Sequence, residues 1–246
     1  MASPAVAATN TTNGSTASQN KTVNLPASIA VNNLLLLCLR TAGADTHTTP
    51  TDWNVLFLND ASDGSDDVTS LWWKRAVAAD VGVGSIIVTC TANLKFAALS
   101  WRITGHVNPD ERPPEFATLV TGSSTIPDPG TVTPTGGSKD YLFLWLGGWA
   151  GEQTSPPASN PTNYASNVIG ANSGTASTAP TNCRLASASR QATGSSENPG
   201  TWTISVTDFW TATVVAIHPA DIVTAQHLPP ASALMGAGGF VGSVYR

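Results

Sequence analysis

The sequence predicts an all-β protein, a jelly-roll-like antiparallel β-sandwich with internal pseudo-duplication and extended terminal arms. Three observations carry that expectation. Short apolar or alternating runs recur at regular intervals, separated by turn-forming residues. No long stretch keeps a helical period with caps at its ends. Finally, Asp140-Tyr141-Leu142-Phe143-Leu144-Trp145-Leu146 reads as a second copy of Asn33-Leu34-Leu35-Leu36-Leu37-Cys38-Leu39. Both are apolar runs headed by one small polar residue, the pattern of a strand covered on both faces.

Taken in order, residues 1–24 are rich in Ala, Thr, Ser and Asn and carry too little apolar mass to fold alone. They are expected to form an N-terminal arm, with at most one alternating strand at Thr16–Val23. The sandwich is expected over residues 25–218. Its first repeat unit, residues 25–106, holds candidate strands Leu34–Arg40, Trp53–Leu58, Val68–Val77, Ser85–Cys90 and Phe96–Thr104. Thr48-Thr49-Pro50, Asn59–Gly64 and Val81–Gly84 supply turns between them. His106–Pro134 is a proline-rich connector broken by a candidate strand at Glu115–Val120. Proline removes ladder donors, so this segment is expected to run along an edge or to cross between sheets. The second unit, residues 124–218, holds Tyr141–Trp149, Tyr164–Ile169, Cys183–Ala192, Trp202–Val206 and Trp210–Ile217.

The two series agree in order. Asn33 and Asp140 are 107 residues apart, Pro50–Trp53 and Pro161–Tyr164 are 111 apart, Gly84 and Gly200 are 116 apart, and Ile103 and Ile217 are 114 apart. An offset that drifts without reordering is what loop insertions between duplicated units produce. The doubly apolar runs need cover on both faces, and packing of the copies against each other, or of neighbouring chains, is expected to supply it.

Residues 219–246 break the pattern. Pro229-Pro230 and Gly236, Gly238, Gly239 and Gly242 oppose a central strand and a stable helix. Leu234, Met235, Phe240, Val241, Val244 and Tyr245 are too apolar for a solvated linker. A C-terminal interaction arm lying in a groove of a neighbouring subunit accommodates both facts.

Composition narrows the function classes. Charged residues are 11% of the 246, against roughly 25% in ordinary soluble proteins. With 11 Lys+Arg against 16 Asp+Glu the net charge is −5, which leaves no footprint for a phosphate backbone, so nucleic acid is not an expected partner. No apolar run is long enough to span a membrane. The N-terminus lacks the basic and apolar regions of a secretory signal. A chain of this length can bury a sufficient core without metal or disulfide staples, and no cofactor is expected. Cys38, Cys90 and Cys183 each lie in a strand-like run and read as buried free thiols.

Nucleophile-elbow, P-loop, His-Glu-x-x-His and Cys-x-x-Cys signatures are absent, and the four histidines are scattered. Asp60, Asp63, Asp66 and Asp67 form one acidic loop, a candidate Ca²⁺ site because hard cations favour converging carboxylates, although the EF-hand spacing fails and a solvated hairpin is the simpler reading. Asp110, Glu111, Glu115, Glu152 and Glu197 are available for a glycosidase-like carboxylate pair. Trp72 and Trp149 are the candidate glycan-facing aromatics.

Asn33–Leu39, Pro50–Trp53 and Trp73-Lys74-Arg75, with Ser189-Arg190 in the second copy, resemble small-residue-rich all-β structural proteins of tailed bacteriophages over residues 25–218. That resemblance implies a non-enzymatic virion component, foremost a capsid decoration or cement protein. Such a protein would be made in the host cytoplasm and displayed on the virion surface as a homo-oligomer. Its arms would bind neighbouring subunits and other virion proteins, either the major capsid protein or tail proteins. The alternative is a receptor- or carbohydrate-binding module of a tail fibre, with a host surface glycan as partner.

Overall fold

The computed structural model describes residues 3–61, 64–151, 156–157, 159–174 and 182–221. Its strands are β1 (Ala5–Asn24), β2 (Leu34–Thr41), β3 (Asn54–Asp60), β4 (Val68–Arg75), β5 (Ser85–Thr104), β6 (Glu115–Phe116), β7 (Val120–Ser124), β8 (Lys139–Ala150), β9 (Ser166–Asn172), β10 (Cys183–Gly194) and β11 (Asp208–Ile217). One 3₁₀ turn, Ala78–Asp80, is the only helical element among the described residues. The protein is therefore all-β, with two antiparallel sheets.

The first sheet has the order β1-β5-β2-β4-β3, and the second has β6-β11-β8-β10-β9 with β7 also on β11. The same order is built twice, with β5-β2-β4-β3 repeated as β11-β8-β10-β9 and an extra edge strand beside β5 and beside β11. Each sheet comes from one contiguous half of the chain. In this respect the connectivity differs from a jelly roll, whose strands alternate between sheets.

The ladders also set the repeat register. Leu34 pairs with Ile103, and Leu142 pairs with Ile217. The equivalent of Leu34 is thus Leu142, 108 residues on and not 107. The one-residue difference matters because it exchanges the two faces of a strand. Matching Asn33 to Asp140 would have put Leu34, which faces the other sheet, in the place of Tyr141, which faces away from it.

Between the sheets lies the main core, where Leu34, Leu36 and Cys38 meet Leu142, Leu144 and Leu146 together with Trp101, Ile103, Leu185 and Val215. The outer face of β2, formed by Leu35, Leu37 and Leu39, packs with Val23, Trp53, Trp72, Val88 and Phe96. This second cover comes from the chain itself. β1 and β5 pair along most of their length, with irregularities between Gly14 and Ser18 and between Ser18 and Asn20. At these bulges the two-stranded ribbon folds back over the sheet. Asn24 N–H then donates to Thr12 Oγ1 at 2.9 Å, Asn10 Nδ2 to the Leu25 carbonyl at 3.0 Å, and Ser100 Oγ to the Asn24 carbonyl at 2.8 Å.

The second half repeats the device. Ile204 N–H donates to the Thr125 carbonyl and Trp202 N–H to the Pro127 carbonyl, both at 2.9 Å, and Val132 and Glu197 exchange backbone bonds. These bonds extend the β7–β11 ladder into a flap. Val132, Trp202 and Ile204 on the flap cover Tyr141, Phe143 and Trp145. Both faces of both apolar strands are therefore covered within one chain, and no neighbouring chain is required for it.

Several expected elements take a different form. Residues 5–24, expected within the N-terminal arm, lie in the first sheet as its edge strand and ribbon. Ser85–Cys90 and Phe96–Thr104 are one continuous strand. Trp202–Val206 is not a regular strand, although Trp202 and Ile204 keep ladder-like bonds. Beyond Asp221 the interaction arm, including Leu234, Met235, Phe240, Val241, Val244 and Tyr245, lies outside the described residues.

One packing detail recurs in both halves. Gly14 sits opposite Phe96 and Gly122 opposite Trp210. A Cβ added at Gly14 would lie 2.1 Å from the Phe96 ring, and one at Gly122 would lie 2.5 Å from the Trp210 ring. The rings lie flat on the edge strand where a side chain is missing. Gly14→Val and Gly122→Val are each expected to lower stability by ~1–3 kcal/mol through overpacking, measured by urea denaturation. An unchanged midpoint would show that the rings do not occupy those positions.

Candidate functional site

A Thr/Asn/Ser-rich ribbon offers few apolar side chains to hold it against the sheet, and buried polar groups do part of that work. The β1 bulge leaves the carbonyls of Ser18, Ala92 and Leu94 turned inward, and Lys21 Nζ donates to all three, at 3.2 Å to Ala92 and 2.8 Å to Leu94. Lys21 is fully buried. Asp45, on the β2–β3 connector with its side chain equally buried, places Oδ2 3.8 Å from that ammonium. Its Oδ1 accepts from the backbone N–H groups of Thr46 and Ala92, each at 2.8 Å, and from Thr91 Oγ1 at 3.1 Å.

The same connector pairs with the ribbon through Thr48 N–H to the Thr89 carbonyl and Thr91 N–H to the Thr46 carbonyl. That pairing brings Cys90 beside His47. Candidate ligand atoms of Asp45, His47 and Cys90 all lie within 4.8 Å of one another. His47 is buried, with Nε2 3.0 Å from Thr41 Oγ1 on β2 and Nδ1 2.9 Å from Ser70 Oγ on β4.

A cysteine, a histidine and an aspartate in one place invite comparison with a nucleophilic triad or a metal centre, and the geometry opposes both. Catalysis by cysteine needs thiolate. Burial, followed by the negative charge of Asp45, pushes the Cys90 thiol up to about 12. Burial likewise pushes His47 down to about 4, and both of its ring nitrogens face hydroxyls, not the thiol. A soft divalent ion would find three ligands where a closed structural site uses four. It would also have to displace the Lys21 ammonium from Asp45 and a hydroxyl from His47. The cluster acts as a pin, tying ribbon, connector and sheet together.

No family model, curated protein or solved structure matches the chain.

The second half is pinned by different residues in the corresponding layer. Glu197, on the flap, accepts from Tyr164 Oη at 3.1 Å and from Arg190 Nη1 at 2.9 Å. Where the two halves end, His218 Nε2 lies 2.6 Å from Glu115 Oε1, and Thr135 donates to the same carboxylate. Burial alone would raise Glu115, but the Thr135 and His218 hydrogen bonds leave it below the usual carboxylate range.

The residues expected to carry function are dispersed. Trp72 and Trp149 are both 0% exposed, so neither presents a ring to a sugar. They belong to the outer cores beneath the ribbon and the flap, which the sequence pattern does not distinguish from a solvent-facing side. Asp67 turns inward to an ion pair with Arg40 at 3.2 Å and is withdrawn from the proposed calcium loop, whereas Asp66 is exposed. Asp60 ends β3, and Asp63 lies outside the described residues. Of the glycosidase candidates, Asp110 pairs with Arg75, Glu111 with Asn108, Glu115 with His218 and Glu197 with Arg190, while Glu152 is outside the described residues. Cys38, Cys90 and Cys183 are free and buried, as expected. Among the described residues no helix is long and apolar enough to cross a membrane.

Sequence reasoning missed the pins. A signal for one of them was present, since Lys21 is the single charged residue in the first 39.

Breaking a buried pair leaves one charge uncompensated, so Lys21→Met is expected to cost about 3 kcal/mol. Adding Asp45→Asn, which keeps the Oδ1 acceptor, should recover more than half of that loss in chemical denaturation. Equal losses in single and double variants would reduce Asp45 to packing alone. His47 gives a pH dependence with a definite sign. Its folded value of about 4 lies below the ordinary 6.5, so the unfolded chain takes up the proton first as pH falls. Its contribution is complete above pH 6.5 and declines towards pH 4, by about 3 kcal/mol in all. The difference between wild type and His47→Gln across that range should show this limb, and parallel curves would exclude it.

Proposed function

We propose that this chain is a non-enzymatic structural protein of a bacteriophage virion, a capsid decoration or cement protein that self-associates through its C-terminal segment. The observation that carries this reading is the burial of the groups that could do chemistry. The one Cys-His-Asp grouping among the described residues is buried, its thiol is held far from thiolate, and its histidine is hydrogen-bonded on both sides. Lys21, Arg40, Asp67, Arg184 and Glu197 are likewise buried. The outward surface is sparsely charged, with aliphatic side chains such as Val31, Val77 and Val81 about half exposed. A rigid, chemically inert sandwich of this kind suits passive attachment to the major capsid protein or to tail proteins better than turnover.

The tail-fibre alternative named Trp72 and Trp149 as its glycan-facing rings, and the burial of both favours the capsid reading over it. Deletion of residues 225–246 tests the proposal. The shortened chain should keep the unfolding transition of the sandwich and lose both self-association and attachment to capsids. A product that fails to fold would place the segment in the core. Glycan-array binding without capsid binding would favour the tail-fibre reading instead.

A further inference from the structure

The connectors flanking the first sheet form a cleft of about 530 Å³, walled by Leu25, Pro26 and Ile29 on one side and Val83 on the other, with Gly82 and Gly84 between. Leu25 and Ile29 belong to the core beneath the ribbon, so the cleft opens directly onto packed apolar side chains. Residues 25–29 and 81–84 include no charged side chain, and neighbouring Asp80 is already bonded to Lys74 at 2.7 Å. Val81 stands at the mouth, 53% exposed. Val31 and Val77, each about half exposed, flank the 2.8 Å backbone bond that joins Asn32 to Ala76 on the same two connectors. Asn10 and Ser28 add polar groups to a lining that is otherwise aliphatic or glycine.

We infer that this cleft receives the C-terminal segment of a second copy of the chain, an inference that rests on the assembly reading above. Three features select that occupant. Residues 222–245 contain no Asp, Glu, Lys or Arg, which matches a cleft whose lining residues are all uncharged. The stretch Ala231–Val244 alternates small residues with Leu234, Met235, Phe240 and Val241, so its backbone can approach a shallow groove while single side chains fill it. The last described residues, Ala220 and Asp221, also lie towards the end of the sheet that carries the cleft. Ala220 N–H donates to the Gly105 carbonyl, and three residues earlier on β5 Arg102 Nε donates to the Ala27 carbonyl, each at 3.0 Å. The 25 residues beyond Asp221 reach at most about 80 Å when extended, enough to cross to a neighbour. Two copies meeting on this face would exchange segments reciprocally, as a two-fold contact requires.

Full-length chains test this by sedimentation across a concentration series. Val81→Asp places a charge at an exposed rim position. Gly84→Leu fills the cleft where an added Cβ meets nothing within 4 Å. Each is expected to weaken self-association at least tenfold without moving the unfolding transition. Phe240→Asp combined with Val244→Asp should do the same from the other side. A mixture of the Val81→Asp chain with the Phe240→Asp/Val244→Asp chain should regain association, because one intact cleft then meets one intact segment. If wild type associates and the cleft variants associate equally well, the cleft is not the site, although the assembly reading survives. A mixture that stays monomeric also overturns the inference. A wild type that is monomeric throughout removes the assembly reading together with the cleft.

Discussion

The structure depends on two strands that are apolar on both faces. An ordinary sandwich strand buries alternate side chains and wets the rest, but β2 and β8 expose none of their aliphatic residues. Each fully buried Leu contributes ~1.5–3 kcal/mol only while both its neighbours and its covering layer are in place. A second sheet can cover only one face. The other needs a further layer, which is why β1 and β5 are twenty residues long where β2 and β4 are eight. Half of each long strand completes the sheet, and the other half folds over it. The protein is thus layered as ribbon, sheet, sheet and flap.

The ribbon is a poor hydrophobic object, and that sets how charge is used. Val23 and Val88 are its main apolar contributions to the layer beneath. Burying an ion pair is costly unless its remaining valences are met. Lys21 meets three carbonyls freed by the bulge, and Asp45 Oδ1 meets three donors. The second half solves the same problem with Arg190, Glu197 and Tyr164. In a chain with few charges, several of them stand at these joints. Such joints define register and position more than they add net stability.

Much of the fold was legible in the sequence, and the reasons are local. The strands with strong apolar runs were located to within a few residues, and the turn residues between them marked most ends. Duplication was visible because both halves keep the same order of apolar runs and aromatic turns. Its register was off by one because Asn33 and Asp140 look alike, whereas strand parity is settled only by cross-strand partners. Residues 5–24 looked like an arm because an edge strand with a Thr/Asn/Ser sequence has the composition of a linker, and its pairing is long-range. The pins were illegible for the same reason, since Lys21, Asp45 and Cys90 lie far apart in sequence and meet only when the ribbon folds over. Trp72 and Trp149 were misplaced because alternation distinguishes two faces without revealing that both are dry.

The repeated strand order is not matched residue for residue at the centre of the sandwich. By the register of the ladders Arg40 and Gly148 occupy equivalent positions, and across the sandwich they face each other. A Cβ on Gly148 would lie 2.8 Å from Arg40 Cδ. A homodimer of single halves would set an arginine against an arginine there, with two buried charges and twice the volume. In the single chain one half carries the side chain with its ion pair to Asp67, and the other carries only hydrogen. The inner faces then fit only each other.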